Sequence, residues 1–245
     1  MIKVSLILTT FNSKDNLKKT LESIEYQDYP YVEVVIKDGG STDGTLDVIK
    51  QYKEYSRYAV GYESKPDTGI YDAMNQGYTM CSGDVIVFFN DVFVEPSVIS
   101  KMVALIENNR QCVGAHADLV YKDDKRVVRK WHMGEGDIYH GWMPGHPTLF
   151  LKREVYDKYG LYRTDFKISA DYEFMIRFLK EGENKLAYLP ETIIAMFYGG
   201  TSSGGIRNYL LSLKEGHRAL KLNGIKRVYY IDFRRILRVL MQFIS

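Results

Sequence analysis

Three stretches of the sequence set oxygen-bearing side chains beside glycines or helix starts, an arrangement suited to holding a nucleotide by its edges. Thr9-Thr10-Phe11-Asn12 closes the apolar run that begins at Val4. Asp38-Gly39-Gly40-Ser41-Thr42-Asp43-Gly44 follows Val32 to Lys37, and Asn90-Asp91 follows Asp84 to Phe89. If the three runs are parallel strands, these stretches meet at the carboxyl edge of one sheet, where open α/β sheets bind ligands. The glycines and a cap from Thr42 or Asp43 suit any strand-to-helix turn, and Asp43 fits a cap as well as a contact. Asp38 needs another explanation: a carboxylate there can accept the imide N–H of a base such as uracil. Neither GxGxxG nor GxxxxGK[ST] occurs, which removes the main support for a dinucleotide or P-loop site.

A second group lies further along. Ser169-Ala170-Asp171-Tyr172-Glu173 opens a helix, where Ser169 can cap and acids favour the dipole. Gly145-His146-Pro147-Thr148 sits in a loop with Trp142, an aromatic platform on which a sugar face can stack. A lone histidine is more often structural than catalytic. Gly199-Gly200-Thr201-Ser202-Ser203-Gly204-Gly205 reads as a connector, or as a lid that closes on a diphosphate.

The elements that must position these residues alternate. Strands are expected at Val4–Thr10, Val32–Lys37, Tyr58–Glu63 and Asp84–Phe89. Helices are expected from Asn12 or Ser13 to Tyr26, from Thr42 to Tyr55, from Ile70 to Met80 and from Pro96 to Asn109. This alternation implies a mostly parallel, Rossmann-like sheet flanked by helices. Later come a hairpin, Val113–Tyr121 and Val127–Trp131 around Lys122-Asp123-Asp124-Lys125, then a short strand at Leu149–Leu151. Helices near Arg153 and Ala170 and a strand at Ile193–Tyr198 follow. One domain over 1–224 is expected, with a nucleotide-binding half (1–112) and an acceptor-side half (113–224).

The 245 residues are 45% hydrophobic with net charge +2, enough for a sizeable core and too neutral to suggest a nucleic-acid partner. Cys81 and Cys112 are far apart and without metal spacing, as free thiols in a reducing compartment would be. Met1-Ile2-Lys3-Val4-Ser5 runs straight into a strand, and no apolar run reaches membrane-spanning length. A cytoplasmic protein is expected. Basic residues gather at the end, and Val228 to Ile244 has helical periodicity. It reads as a helix packed on the body, or as a basic amphipathic helix (225–245) lying on an anionic membrane at the inner face of the plasma membrane.

Four motifs in order, VSLILTTFN, KDGGSTDGT, SKPDTGIYDAMNQG and SGDVIVFFND, resemble the inverting family 2 glycosyltransferases of GT-A fold, of the bacterial polysaccharide-building type. The resemblance covers residues 1 to about 200. It implies transfer from a nucleoside-diphosphate sugar, a UDP-sugar foremost, to a glycan or lipid-linked glycan. Thr9, Phe11 and Asp38 would line base and ribose. Asp67, Gly69, Asn75 and Asn90 would lie beside the nucleotide, with Asp91 as the ligand of a Mg²⁺ or Mn²⁺ ion. Asp171 would be the general base, Glu173 a supporting contact, and Trp142 and His146 sugar or acceptor contacts. Where the family commonly has Asn-Ser-Asp-Asp, this chain has Asn90-Asp91, two residues shorter and with one acid. That departure raises the alternative of a non-catalytic nucleotide-sugar binder. A nucleotidyltransferase is disfavoured, because Thr-Thr-Phe-Asn-Ser stands where its glycine-rich basic signature would be.

Overall fold

The computed structural model describes residues 1–122, 126–197 and 205–241. Four parallel strands, β1 (Val4–Thr10), β2 (Val32–Asp38), β3 (Ala59–Ser64) and β4 (Val85–Phe88), lie in the order β3-β2-β1-β4. Leu6 and Leu8 of β1 join the core with Leu21 of α1 (Lys14–Glu25), Ile49 of α2 (Thr45–Tyr55) and Met102 of α4 (Val98–Asn108). Ile7, between them, joins a second core on the other face with Met74 of α3 (Ile70–Met80). Burial on both faces is why the run is apolar without alternation.

The remaining strands change the pairing. β8 (Phe150–Lys152) pairs antiparallel with β4 and with β6 (Gly114–Lys122). β9 (Leu186–Phe197) lies parallel to β6, and β7 (Val127–Trp131) hangs antiparallel on it. β5 (Val92–Phe93) pairs antiparallel with β9 at the far edge. The α/β expectation holds, but parallel pairing is confined to β3-β2-β1-β4 and β6-β9. The other pairs are antiparallel, and of these only β6–β7 joins consecutive strands, while β4–β8, β6–β8 and β5–β9 join strands distant in the chain. Only Phe89-Asn90-Asp91 separates β4 from β5, so the sheet must curl to bring its far edge back beside β4, and the Asn90–Asp91 stretch lies where it closes.

Element boundaries shift where side chains find other partners. Asn12 does not cap α1: it adopts φ +46°, and its Oδ1 accepts the Thr42 N–H (2.9 Å). Ser13 stands at the cap position without a side-chain bond. Asp43 accepts the Thr45 N–H and hydroxyl (2.9 and 2.6 Å), and α2 begins at Thr45 instead of Thr42. β9 starts well before Ile193. Leu189 pairs with Ala117 and Thr192 with Asp118, so Pro190 and Glu191 fall in a bulge that spares the ladder a missing N–H. The expected turn at 123–125, Tyr198 and most of the expected lid lie outside the described residues.

Three more helices, α5 (Arg153–Tyr159), α6 (Ala170–Leu179) and α7 (Gly205–Leu222), cover the second core with α8 (Val228–Met241). No expected element covers α7. α8 buries Val228 and Ile231, and its Arg235 guanidinium lies 3.8 Å from the Tyr172 ring centre. Its opposite face exposes Tyr229 (77%) and Phe233 (63%). Among the described residues no helix is long and apolar enough to cross a membrane.

At the end of the sheet away from the Asn90–Asp91 stretch, the Glu33 carboxylate accepts the Ser5 hydroxyl (2.6 Å) and the Gly83 N–H (3.0 Å) and pairs with Lys3 (2.6 Å). Burial pushes this carboxyl up, but hydrogen bonds from Lys3, Ser5 and Ser82 outweigh it and hold it at about 2. A folded-state value below the unfolded one gives stability that is full above about pH 4.5 and lost as pH falls toward 2. Glu33→Gln is expected to cost about 2 kcal/mol at pH 7 and to flatten that acid limb, as read by thermal denaturation across pH.

Candidate active site

A cleft of about 1000 Å³ opens at the carboxyl ends of β1 and β4 and extends to α6, α7 and α8. Thr9, Phe11, Asp67 and Gly69 line one end. Phe11 is 63% exposed, a ring face free to stack on a base. Asn90 ties the ends of β1 and β4 together: its Oδ1 accepts the Thr9 N–H and its Nδ2 donates to the Thr9 hydroxyl, both at 3.0 Å.

Asp38, expected at the base, is fully buried and does not line the cleft. Its carboxylate accepts the N–H groups of Gly40 and Ser41 (3.1 and 3.0 Å) and the hydroxyls of Ser41 and Ser64. It shapes the loop and has no oxygen to spare for a base. The acid beside Phe11 is Asp67 instead. A side chain on residue 39 would begin 2.9 Å from Asp67 Oδ2 and 3.1 Å from the Phe11 ring, so Gly39 leaves the space that Asp67 fills. Beneath it, the buried Lys37 ammonium donates to the carbonyls of Asp38 and Lys65 and lies 3.9 Å from Asp67 Oδ2.

Asp91 lines the cleft yet is 8% exposed. Burial pushes its carboxyl up to about 7, against a small opposing pull from the Phe197 N–H. An uncompensated buried carboxylate facing a cleft is a fitting ligand for a cation. The described residues contain no cluster of three or more His, Cys, Asp or Glu side chains placed to hold a metal. Asp91 would therefore share the ion with phosphate oxygens and water, as Mg²⁺ and Mn²⁺ accept.

Asp171, in the first turn of α6, lines the same cleft. Tyr71 donates its hydroxyl to Asp171 Oδ1 (3.0 Å), and the second oxygen has no hydrogen-bond partner among the described residues. Burial, then the Asp171 charge, raises the Tyr71 phenol well above its ordinary value and keeps it a donor. His146 also lines the cleft. Its Nε2 lies 2.8 Å from the Tyr162 hydroxyl, and burial lowers its pKa despite the nearby Asp171 charge.

The approach to α6 is fixed from α7. Glu215, 7% exposed, accepts three successive backbone N–H groups, those of Lys167 (2.9 Å), Ile168 and Ser169 (both 3.0 Å). Glu215→Gln can satisfy at most two of these donors and loses the charge. It is expected to cost about 1–3 kcal/mol of stability and to lower turnover more than nucleotide affinity, measured by denaturation, kinetics and titration.

The family model for glycosyl transferase family 2 matches residues 5–187. The chain is a family 2 glycosyltransferase. It is 32% identical over 186 residues to an uncharacterized glycosyltransferase of Mycobacterium tuberculosis strain H37Rv, covering 71% of this chain and 68% of the relative. It is 27% identical over 209 residues to a PGL/p-HBAD biosynthesis glycosyltransferase of Mycobacterium bovis strain BCG, covering 81% and 78%. Solved structures share its GT-A fold. S. aureus TarS 1–349 with UDP-GlcNAc superposes with TM-score 0.74 at 18% identity, over 98% of this chain and 73% of that one. The mannosyltransferase PcManGT of Pyrobaculum calidifontis, with GDP-Man and Mn²⁺, gives 0.69 at 16% identity over 98% and 74%. The chain spans 43% of the longer TarS structure.

Other residues expected in the glycosyltransferase's site stand outside the cleft. Trp142 is 5% exposed; its indole donates to the Met133 and Gly134 carbonyls (3.0 and 3.2 Å) and its ring meets His116 edge-on. A buried indole offers no sugar platform. Glu173 pairs with Arg177 (2.9 Å) and accepts from Asn223, which makes it a brace inside the second core. Asn75 bonds the backbone N–H and carbonyl of Tyr162 (3.0 and 2.8 Å), joining α3 to the segment before α6. Three residues escape the sequence reading. Buried Asp118 accepts the Met133 N–H (2.7 Å) and holds His132 Nδ1 (2.9 Å), presenting that imidazole at the cleft. No spacing announces that pair. Glu215 does leave a signal: an acid within the buried stripe Glu215, Gly216, Ala219 and Leu220 of α7.

Proposed function

We propose that this glycosyltransferase moves a sugar from a nucleoside-diphosphate sugar, a UDP-sugar foremost, to an acceptor hydroxyl with inversion. The observation that carries this reading is one cleft joining the Phe11–Asp67 seat, Asp91 and an Asp171 with one carboxylate oxygen unbonded among the described residues. The acceptor oxygen attacks the anomeric carbon, Asp171 takes its proton, and the bond to the departing nucleoside diphosphate breaks on the opposite face. A Mg²⁺ or Mn²⁺ ion held by Asp91 would supply neutralisation of charge on the leaving diphosphate. Phe11 stacks on the base and Asp67 accepts its N–H, while Thr9 and Asn90 set the ribose side. Solved neighbours carrying UDP-GlcNAc or GDP-Man with Mn²⁺ support a nucleotide-sugar donor. The Asp171 oxygen left without a partner among the described residues favours catalysis over mere binding.

The acceptor in this reading is a growing glycan, lipid-linked at the inner membrane face, with the protein held there peripherally by α8. Tyr229 and Phe233 are exposed at i and i+4, beside exposed Lys226 and Arg227. Replacing both aromatics by Ser, which gives up the Tyr229 ring's contact with His217 but removes no residue of the buried core, is expected to lower association with anionic vesicles about tenfold in a sedimentation assay.

Melting curves with UDP, GDP and their sugars, with and without Mn²⁺, test the donor site directly. A ligand that binds only the folded state raises Tm by mass action. A metal-dependent rise with UDP or its sugars is expected. No rise with any nucleotide would sink the reading.

A further inference from the structure

The cleft is electrically lopsided. Of the acids that line it, Asp67 and Asp91 serve the nucleotide end, and only Asp171 borders the remainder among the described residues. Beyond Asp171 the lining includes Lys167, Arg235 and Arg238. Lys167 spends only its backbone N–H, on Glu215, and its side chain is without a partner among the described residues. Arg235 stacks on Tyr172 and leans on Asp232 at 3.4 Å. Arg238 forms no ion pair among the described residues, and its Nε is buried without a hydrogen-bond partner. Burial and the neighbouring Arg234 charge press its pKa down against the opposing charge of Asp137, a penalty that a bound anion would relieve.

Arg235 meets the cleft beside α6, through its contact with Tyr172. α8 packs on α7 and on the short turn at Ile138–His140, and α7 packs on α6. The main packing partners of α8 are thus not β1, β4 or α3, which hold the nucleotide end. A guanidinium without an ion pair beside a sugar-transfer site, as Arg238 is among the described residues, suits a phosphate, which takes two parallel N–H bonds from one Arg.

We propose that the acceptor is anionic and that Lys167, Arg235 and Arg238 form a phosphate-binding subsite on the acceptor side of Asp171. The proposal rests on the donor-site reading above. It makes the acceptor's phosphate an anchor that sets which hydroxyl reaches Asp171. The phosphate belongs either to the glycan itself or to a lipid carrier, and the two sources differ in what lies next to the anion.

The test is titration of the full chain, saturated with UDP, with glycerol phosphate, with dodecyl phosphate below its micelle concentration, and with uncharged dodecyl glucoside. Calorimetry is expected to show the phosphate probes binding about tenfold or more tighter than the glucoside. Lys167→Gln with Arg238→Gln is expected to remove about tenfold of that affinity while UDP affinity stays within about twofold. Should the double variant misfold, Lys167→Gln alone, at an exposed position, is expected to cost about threefold. Equal binding of the two phosphates assigns a glycan-borne phosphate, and tighter dodecyl phosphate a lipid-borne one; both support the subsite. Equal affinity for phosphate and glucoside, no loss in the variants, or a parallel loss of UDP affinity overturns it. Failure of the unaltered protein to bind UDP is a separate result, and it removes the donor-site reading instead.

Discussion

Asp171→Asn is expected to slow sugar transfer by about 10²–10⁴-fold while UDP affinity changes less than about twofold. Asn keeps the shape of the side chain, and its carbonyl can still accept the Tyr71 hydroxyl now 3.0 Å from Asp171. What it cannot do is take the acceptor's proton as the new bond forms. A general base acts only in the transition state, so the loss belongs in kcat and not in donor binding. Tyr71→Phe separates position from proton transfer: losing one orienting bond should cost about tenfold, well short of losing the base. The measurement is single-turnover transfer beside equilibrium UDP titration. Unchanged turnover in the Asn variant removes Asp171 from the role, and a matched loss of UDP affinity would move it to the nucleotide.

Asp91→Asn should separate stability from activity in opposite directions. Its carboxyl is pushed up to about 7 by burial, so folding disfavours the ionised form. The folded-state value lies above the unfolded one, so this group's contribution to stability declines as pH rises from about 4 to 7 and is level above that. An amide avoids the cost. The ligand-free variant is expected to melt several degrees above the parent at pH 8, an advantage that shrinks toward pH 4. The same change should abolish the stabilisation that Mn²⁺ adds to bound UDP and lower transfer by about 10²-fold or more. For the parent, metal affinity should weaken below pH 7 as the carboxyl takes a proton. Melting curves across pH, with and without UDP and Mn²⁺, check both signs. A variant that melts lower without ligand, and still responds to Mn²⁺, would show that Asp91 is neither strained nor a ligand.

The carboxyl-end residues were legible because strands buried on both faces leave continuous apolar runs, and polar side chains stand out where those runs stop. Thr9, Asn90 and Asp91 follow from that alone. Asp38 does not, because a strand-end carboxylate looks the same whether it reads a ligand or holds its own loop. Four donors within and beside that loop decide the matter, and one of them, Ser64, comes from another strand. The Gly39–Asp67 exchange is likewise a fact of three dimensions: the missing side chain and the acid that fills its space are in different loops. Trp142 reads as a ligand platform only until its indole is found bonded to Met133 and Gly134. The second half was hard to read because its strands pair out of chain order, as β9 with β6 and β8 with β4, and its ties are long, as in the reach of Glu215 back to Lys167–Ser169.

The short link between β4 and β5 has a consequence for rebuilding this enzyme. β5, encoded in the first half, zips onto β9 at the opposite rim, while β8, encoded in the second half, lies directly against β4. The two halves are interleaved like clasped hands. A chimera that joins one relative's residues 1–112 to another's remainder would have to match two strand seams at once. Changing the donor by exchanging loop residues such as Gly39 and Asp67 therefore disturbs the sheet far less than recombining halves.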